Sequence, residues 1–204
     1  MKLPQGIRRN SSNTQINTKG NWNANMANKG MDLEKMVNNS NEYYLANDIA
    51  VIHKKPIPIQ IVKVNYPDRS KAVITEAYYK LPSTTDYNGV YKGYYIDFDA
   101  KECSSLTSFP LSNVHEHQYK HLQNITRHGG IGFLLVSFNK YDEYYLLTID
   151  QFLELLNSAN NGERKSIPYT YFKENCIKIE ATYQPELDYL KAVDILINRK
   201  NSSK

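Results

Sequence analysis

The chain contains the sequence Asp97-Phe98-Asp99-Ala100-Lys101, preceded by Thr84-Thr85-Asp86-Tyr87-Asn88-Gly89. In a β-strand, residues i and i+2 lie on the same face. We therefore expect Asp99 and Lys101 to project together, with Asp97 alongside them. The apolar residues between them form the opposite face, which is the pattern of a half-buried strand. The stretch thus predicts a strand whose polar face carries two carboxylates and one ammonium group.

A further carboxylate, Asp86, lies just before Asn88-Gly89. Asn-Gly favours a tight turn, so we predict a hairpin that fixes Asp86 close to Asp99. Carboxylates bind hard divalent cations, which activate water and neutralise charge during phosphodiester cleavage. A neighbouring lysine stabilises developing charge. Asp86, Asp99 and Lys101 are therefore candidate catalytic residues of a metal-dependent phosphodiesterase. The alternative is a solvated ion pair, since acid-x-Lys triplets are common.

Length and composition limit the class of protein. A chain of 204 residues suits one domain of ordinary size, and its formal net charge of +4 permits nucleic-acid binding without requiring it. No apolar run is long enough to span a bilayer, and the first residues lack the apolar core of a signal peptide. Cys103 and Cys176 are far apart, which favours a reducing compartment over a disulfide scaffold or structural zinc site. We expect a cytoplasmic protein without a membrane partner.

The domain organisation follows from composition. Residues 1–28 are polar with few apolar residues and are predicted to be a disordered tail. Residues 29–199 form the predicted folded domain, and 200–204 a second disordered tail. Apolar periodicity predicts helices at 32–47 (capped by Asp32), 111–126, 150–156 (capped by Asp150) and 185–198, and strands at 49–52, 131–138, 144–149 and 177–181. Together these predict an α/β domain in which helices flank a mixed central sheet.

The segment 54–80 combines prolines, apolar residues and basic residues. Pro56 and Pro58 discourage helix, and a turn signal follows at Tyr66-Pro67-Asp68-Arg69-Ser70. We interpret the segment as two extended legs around a turn, with a basic projection at about 56–72. An ordinary surface hairpin is the alternative. The candidate DNA-binding residues in and beside the projection are Lys54, Lys55, Lys63, Arg69, Lys71 and Lys80.

Three polar residues stand out on the predicted helix at 111–126. Gln118 falls on its apolar stripe, either as a satisfied core amide or with its carbonyl oxygen directed toward a metal. His117 and His121 have the i, i+4 spacing of zinc ligands. Because no third soft ligand accompanies them, we expect these histidines to face DNA or solvent.

Several blocks resemble the RecU family of Holliday junction resolvases across residues 30–197. They are Pro82-Ser83-Thr84-Thr85-Asp86-Tyr87-Asn88-Gly89-Val90-Tyr91-Lys92-Gly93, Ile96-Asp97-Phe98-Asp99-Ala100-Lys101-Glu102, Phe109-Pro110-Leu111, His115-Glu116-His117-Gln118, His53-Lys54-Lys55-Pro56 and Lys165-Ser166-Ile167-Pro168. The resemblance implies a restriction-endonuclease-like core with a protruding basic stalk that enters the centre of a four-way DNA junction.

The resemblance also implies the chemistry. The activity would be endonucleolytic resolution of four-way junction DNA by paired symmetric nicks, in recombination and repair. Thr84, Asp86, Asp99 and Gln118 would form the site of Mg²⁺, with Mn²⁺ as an alternative, and Lys101 would stabilise the transition state. Paired nicks require two active sites, so a homodimer is expected. Members of the family also act with the recombinase RecA and with the branch-migration motor.

Three positions depart from the family pattern. The family usually has Glu where Asp99 stands, which withdraws the carboxylate by one methylene. It usually has Arg where this chain has Lys29, and commonly Thr at Ile57. The first departure keeps open a second interpretation, a catalytically weak junction-binding protein that recruits recombination partners. A sequence-specific duplex endonuclease on the same core is a third, which the long basic projection disfavours.

Overall fold

The structure, a computed structural model, describes residues 32–68, 71–80 and 84–202. The predicted polar tail at 1–28 lies outside these residues, as do Arg69 and Lys29. The helices are α1 (Leu33–Ala46), α2 (Glu116–Arg127), α3 (Ile149–Asn160), α4 (Tyr169–Asn175) and α5 (Tyr189–Ser202), and a 3₁₀ turn spans Leu111–Asn113. The strands are β1 (Val51–Lys54), β2 (Ile59–Asn65), β3 (Val73–Tyr79), β4 (Tyr87–Tyr91), β5 (Tyr94–Cys103), β6 (Ser108–Pro110), β7 (Ile131–Phe138), β8 (Glu143–Thr148), β9 (Ser166–Pro168) and β10 (Ile177–Ile179).

Six strands form one sheet in the order β1-β4-β5-β7-β8-β10. Its neighbours pair antiparallel except β5 and β7, which are parallel. The sheet is therefore mixed, as the sequence predicted, and the α/β prediction is confirmed. Two small sheets accompany it, β2-β3 and β6-β9.

Helices cover both faces of the large sheet, and each face has its own apolar core. Helices α1 and α5 cover one face, where Phe98 and Phe133 are fully buried. Helices α2, α3 and α4 cover the other, where Leu122 and Leu134 are fully buried. Because β5 alternates, Ile96 and Phe98 belong to the first core. The polar residues of β5 therefore face the side of the sheet that α2 covers, and this orientation positions the candidate site.

One predicted helix start is confirmed and two others differ from the predictions. Asp32 does cap α1, since its Oδ1 accepts from the Glu34 backbone N–H at 3.1 Å. The predicted helix at 111–126 is broken before α2, which begins with His115 as its N-cap. The predicted cap Asp150 is wrong, because Thr148, two residues earlier, is the N-cap and forms a capping box with Gln151.

The final helix also differs from the prediction. It begins at Tyr189 rather than Pro185, because the preceding backbone bonds across a loop: Thr182 N donates to Glu186 O (3.0 Å) and Asp188 N to Glu180 O (3.1 Å). It continues to Ser202, so residues 200–202 are helical where a tail was predicted. The Lys200 ammonium donates to the carbonyl oxygen of Gly129 at 2.6 Å, which anchors this end.

The β2-β3 hairpin follows β1 and forms a separate two-stranded sheet. Every residue of β3 is exposed, and so is every residue of β2 except the half-buried Val64. The Lys80 backbone N–H donates to Pro58 O at 2.9 Å, which closes the two legs at their base. The predicted extended legs are therefore present, and the projection that they form reaches Tyr79 instead of ending at about residue 72. No helix in the described ranges is long and apolar enough to cross a membrane.

Candidate active site

The β4-β5 hairpin brings the two candidate carboxylates together. Tyr87 pairs with Phe98 in the antiparallel register, so the residues just beyond them, Asp86 and Asp99, stand opposite each other. Because Tyr87 and Phe98 stack in the core under α1 and α5, side-chain alternation directs both carboxylates to the side of α2.

The turn of this hairpin is not where the sequence predicted it. Lys92 and Gly93 have φ angles of 49° and 79°, which fit a two-residue hairpin turn. Asn88-Gly89 lies inside β4 instead. A Cβ at Gly89 would lie 2.0 Å from the carbonyl oxygen of Val51, so glycine is needed there because β1 approaches closely.

Asp99 is a fully buried carboxylate. Nζ of Lys101 lies 3.0 Å from its Oδ2. Among the described residues, neither Asp99 oxygen has a partner in good hydrogen-bond geometry. The pKa of Asp99 is raised to about 7: burial is the largest cause, the neighbouring Asp86 carboxyl adds to the rise, and Lys101 opposes it. A buried charge with unsatisfied oxygens is costly unless a cation binds it.

The other proposed ligands supply neutral oxygens. Thr84 is half buried just before Asp86, with its hydroxyl 3.4 Å from the Thr85 carbonyl oxygen. Gln118 is buried in the first turn of α2, and its Oε1 accepts from the His115 backbone N–H at 3.0 Å. This capping role supports the interpretation of Gln118 as a satisfied core amide. A carbonyl oxygen has a second lone pair, so the cap does not exhaust its capacity as a ligand.

These donors fit a hard cation that keeps water in its shell. Within the described ranges, no three His, Cys, Asp or Glu side chains gather as a metal site. The residues that the resemblance implies as ligands, Thr84, Asp86, Asp99 and Gln118, would offer two carboxylates and two neutral oxygens. Mg²⁺ is usually held by one or two carboxylates and several waters. Oδ1 of Asp99, which has neither a hydrogen-bond partner nor an ion pair among the described residues, agrees with that chemistry.

Asp97 has a different environment from Asp99, although both lie on the same face of β5. It is fully buried, and its Oδ2 lies 2.8 Å from Lys55 Nζ, 2.9 Å from the Tyr95 hydroxyl and 3.0 Å from His121 Nε2. The Thr85 hydroxyl donates to Oδ1. We call these five residues the Asp97 network. The sequence placed Asp97 on this face but gave no sign of its partners.

The histidines of α2 lie near the site. His121, expected to face DNA or solvent, instead contacts Asp97. His117 is half buried. Burial lowers the pKa of His117, and the nearby His115 and Lys101 lower it further while Asp86 opposes them. The lowered pKa favours the neutral form of His117.

The candidate DNA-binding residues fall into separate groups. Lys63, Lys71 and Lys80 are exposed on or beside the β2-β3 hairpin. Lys54 is exposed and pairs with Glu34. Lys55 is turned inward to the Asp97 network, with 18% of its side chain exposed. Arg69 lies outside the described residues.

Known proteins are similar in sequence to this chain over most of its length. Residues 28–195 match the family model described as Recombination protein U, RecU. The Holliday junction resolvase RecU of Staphylococcus aureus strain JH9 is 56% identical over 169 residues, which cover 83% of this chain and 81% of the relative. The proteins of the same name from strains COL and MRSA252 share 56% identity over 169 residues, with the same coverage. The chain therefore belongs to the RecU family.

Proposed function

We propose that the protein is a Holliday junction resolvase, an endonuclease that nicks four-way DNA junctions during recombination and DNA repair. The observation that carries this proposal is the juxtaposition of Asp86, the buried Asp99 and Lys101 on one face of the β4-β5 hairpin. It occurs in a chain 56% identical to proteins named Holliday junction resolvase RecU.

The proposed cofactor is Mg²⁺, with Mn²⁺ as the alternative. A bound divalent cation supplies an activated water and neutralises phosphate charge. Asp86 and Asp99 would hold it, with Thr84 and Gln118 as neutral donors. Asp99 keeps the Lys101 ammonium within 3.0 Å, where it can stabilise negative charge that develops on the scissile phosphate.

The β2-β3 hairpin is the proposed stalk that recognises the junction. Its exposed lysines, Lys63 and Lys71, and Lys80 at its base would neutralise phosphates where four backbones crowd together. Such contacts position the protein without reading base edges. The shape of the junction would therefore determine recognition.

A homodimer is the proposed assembly. A lone two-stranded hairpin is marginally stable. The β2-β3 hairpin also leaves large apolar side chains exposed to solvent, with these exposed fractions: Ile59 (44%), Ile61 (50%), Val62 (53%), Val73 (57%) and Ile74 (47%). Exposed apolar patches mark interaction sites. Paired nicks also require two active sites related by a dyad, and light scattering on the purified protein tests this directly. Family membership supports two further proposals. The protein would act with the recombinase RecA and with the branch-migration motor, and it would be located in the cytoplasm.

The test compares nicking of a labelled four-way junction with nicking of a duplex of matched sequence, with and without Mg²⁺. We expect paired nicks in the junction only, and only with the metal. An Asp86→Asn variant serves as the inactive control that still binds. Binding without nicking would favour the junction-binding recruiter, and equal cutting of the duplex would favour a duplex endonuclease.

A further inference from the structure

Lys55 occupies the connection between the sheet and the stalk. It directly follows β1 and precedes the extended segment that leads to β2. Its backbone N–H donates to Asp86 O at 2.7 Å. Its Nζ donates to Thr85 Oγ1 at 2.9 Å and to Asp97 Oδ2 at 2.8 Å. Lys55 thus makes main-chain and side-chain hydrogen bonds to both parts of the candidate site, the segment before β4 and the strand β5.

The partners of Lys55 are adjacent to the proposed metal ligands. Thr85 lies between Thr84 and Asp86, and Asp97 lies on the same face of β5 as Asp99. The Thr85 hydroxyl also donates to Asp97, so Lys55, Thr85 and Asp97 form a closed triangle. Thr85 is 3% exposed and Asp97 is 0% exposed. Hydrogen bonds of this kind are effective because little water competes for them.

This environment is a poor one for a phosphate contact. A lysine ammonium that already binds a buried carboxylate has much of its charge neutralised locally. Leaving that contact to reach DNA would strand the carboxylate of Asp97 with fewer partners, which is costly in a buried site. The exposed Lys63 on the stalk has no such constraint.

We propose that Lys55 is a positioning residue rather than a DNA contact: it fixes the segment Thr84–Asp86 against β5 and thereby sets the geometry of the cation site at the base of the stalk. This inference rests on the proposed function, since it assigns a role within the same site. It differs from the expectation that Lys55 binds DNA. The chain offers a matched comparison, because Lys63 lies on the stalk itself.

The experiment compares Lys55→Met with Lys63→Met. Three quantities are measured for each: junction affinity at several salt concentrations without divalent metal, nicking rate at saturating protein against Mg²⁺ concentration, and Mn²⁺ binding to the free protein by electron paramagnetic resonance. For Lys55→Met we expect junction affinity and its salt slope to stay as in the parent. Nicking should fall on the order of a hundredfold, since displacements near an ångström have that effect, and Mn²⁺ binding should weaken.

Lys63→Met should show the opposite pattern. Loss of one phosphate contact per subunit reduces the salt slope by about 1 for each bound subunit and weakens junction binding, while Mn²⁺ binding stays unchanged. If Lys55→Met instead behaves like Lys63→Met, the lysine is a DNA contact and the proposal is wrong. Unchanged nicking and Mn²⁺ binding in Lys55→Met would overturn it as well.

A double variant separates positioning from stability. Lys55→Met alone leaves Asp97 short of a cation, so the double variant with Asp97→Asn should regain thermal stability. Since it still lacks the bridge to Thr85, it should not regain Mn²⁺ affinity. Recovery of both would show that Lys55 only stabilises the fold. Because Mn²⁺ binding is read on the free protein, the result holds even if the parent nicks no junction, which would refute the proposed function alone.

Discussion

Nζ of Lys101 lies 3.0 Å from Oδ2 of Asp99, in a site where the Asp99 side chain has no exposure to solvent. The two residues lie two positions apart on β5, so the strand itself sets their separation. The lysine opposes the rise in the pKa of Asp99 that burial and Asp86 cause, and the pKa is still about 7. A proton and a divalent cation therefore compete for this carboxylate near neutral pH.

The first prediction concerns that competition. Below about pH 7 Asp99 is protonated in the metal-free protein, so cation binding must release a proton. Mn²⁺ affinity should therefore rise as the pH increases from 6 to 8. Calorimetry in buffers of different ionisation enthalpy measures the proton released. Release that does not decline toward pH 8 would show that another group titrates.

Lys101→Ala should slow nicking on the order of a hundredfold or more and leave junction binding close to that of the parent. The ammonium acts on charge that develops in the transition state, and loss of one such donor costs about 3 kcal/mol. Gel shift and cleavage on the same preparation measure both quantities. Lys191→Ala, an exposed lysine on α5 with 76% of its side chain exposed, is the control. Full nicking by Lys101→Ala would remove this residue from the mechanism.

The departure at Asp99 should affect metal preference. Relative to Glu, its carboxylate is withdrawn on the order of an ångström, a displacement that can cost a hundredfold in rate. Mg²⁺ demands near-ideal octahedral geometry, so the parent should nick faster with Mn²⁺. Asp99→Glu should narrow this difference by raising the Mg²⁺-supported rate.

Initial rates for both proteins in both metals decide this. A slower Asp99→Glu in both metals would mean that the buried site has adapted to Asp, since an added methylene in a packed site costs about 1–3 kcal/mol. Absence of nicking by both proteins would favour the junction-binding recruiter.

Removal of the stalk should cost junction affinity far more than duplex affinity. The bond from Lys80 N to Pro58 O, at 2.9 Å, brings the two legs together, so a Gly-Ser turn can replace residues 59–79. The core should stay folded, because the stalk residues are almost all exposed. Lost phosphate contacts should also reduce the salt dependence of binding. Equal losses on junction and duplex would mean that the stalk is only a general basic surface.

Glu143→Gln should destabilise the fold at pH 7 but not at low pH. Burial raises the pKa of Glu143, but hydrogen bonds from Lys178 (2.8 Å), Tyr145 (2.6 Å) and Tyr169 outweigh it and lower the pKa from 4.5 to about 2. A lowered carboxyl pKa stabilises the fold above pH 4.5, and this contribution is lost as the pH falls toward 2.

The expected loss at pH 7 is about 2 kcal/mol, the range for hydrogen bonds to a charged group. Urea unfolding from pH 7 down to pH 2 measures the difference between Glu143→Gln and the parent, which should shrink only as the pH approaches 2. Glu174→Gln, which changes an exposed carboxylate on α4, is the control. A difference that stays constant with pH would indicate a cause other than the charge of Glu143.

Local sequence determined the elements in which each residue's environment depends on its near neighbours. The two-residue period of β5 placed Asp97, Asp99 and Lys101 on one face. The apolar run 131–138 predicted β7 with its observed bounds, because a strand buried on both faces needs apolar residues at every position. The Asp32 cap was predictable because capping involves only the next few residues.

Tertiary structure decided what depends on elements distant in the sequence. Gly89 is inside a strand because β1 passes too close for a Cβ, and no local pattern contains that contact. Lys55 faces inward because β1 ends beside Asp86, where the Lys55 ammonium can form an ion pair with Asp97 of β5. The local sequence around a lysine does not distinguish a side chain exposed at the surface from one paired with a buried carboxylate. The register of the sheet determines which partners lie within reach, and so decides between these two environments.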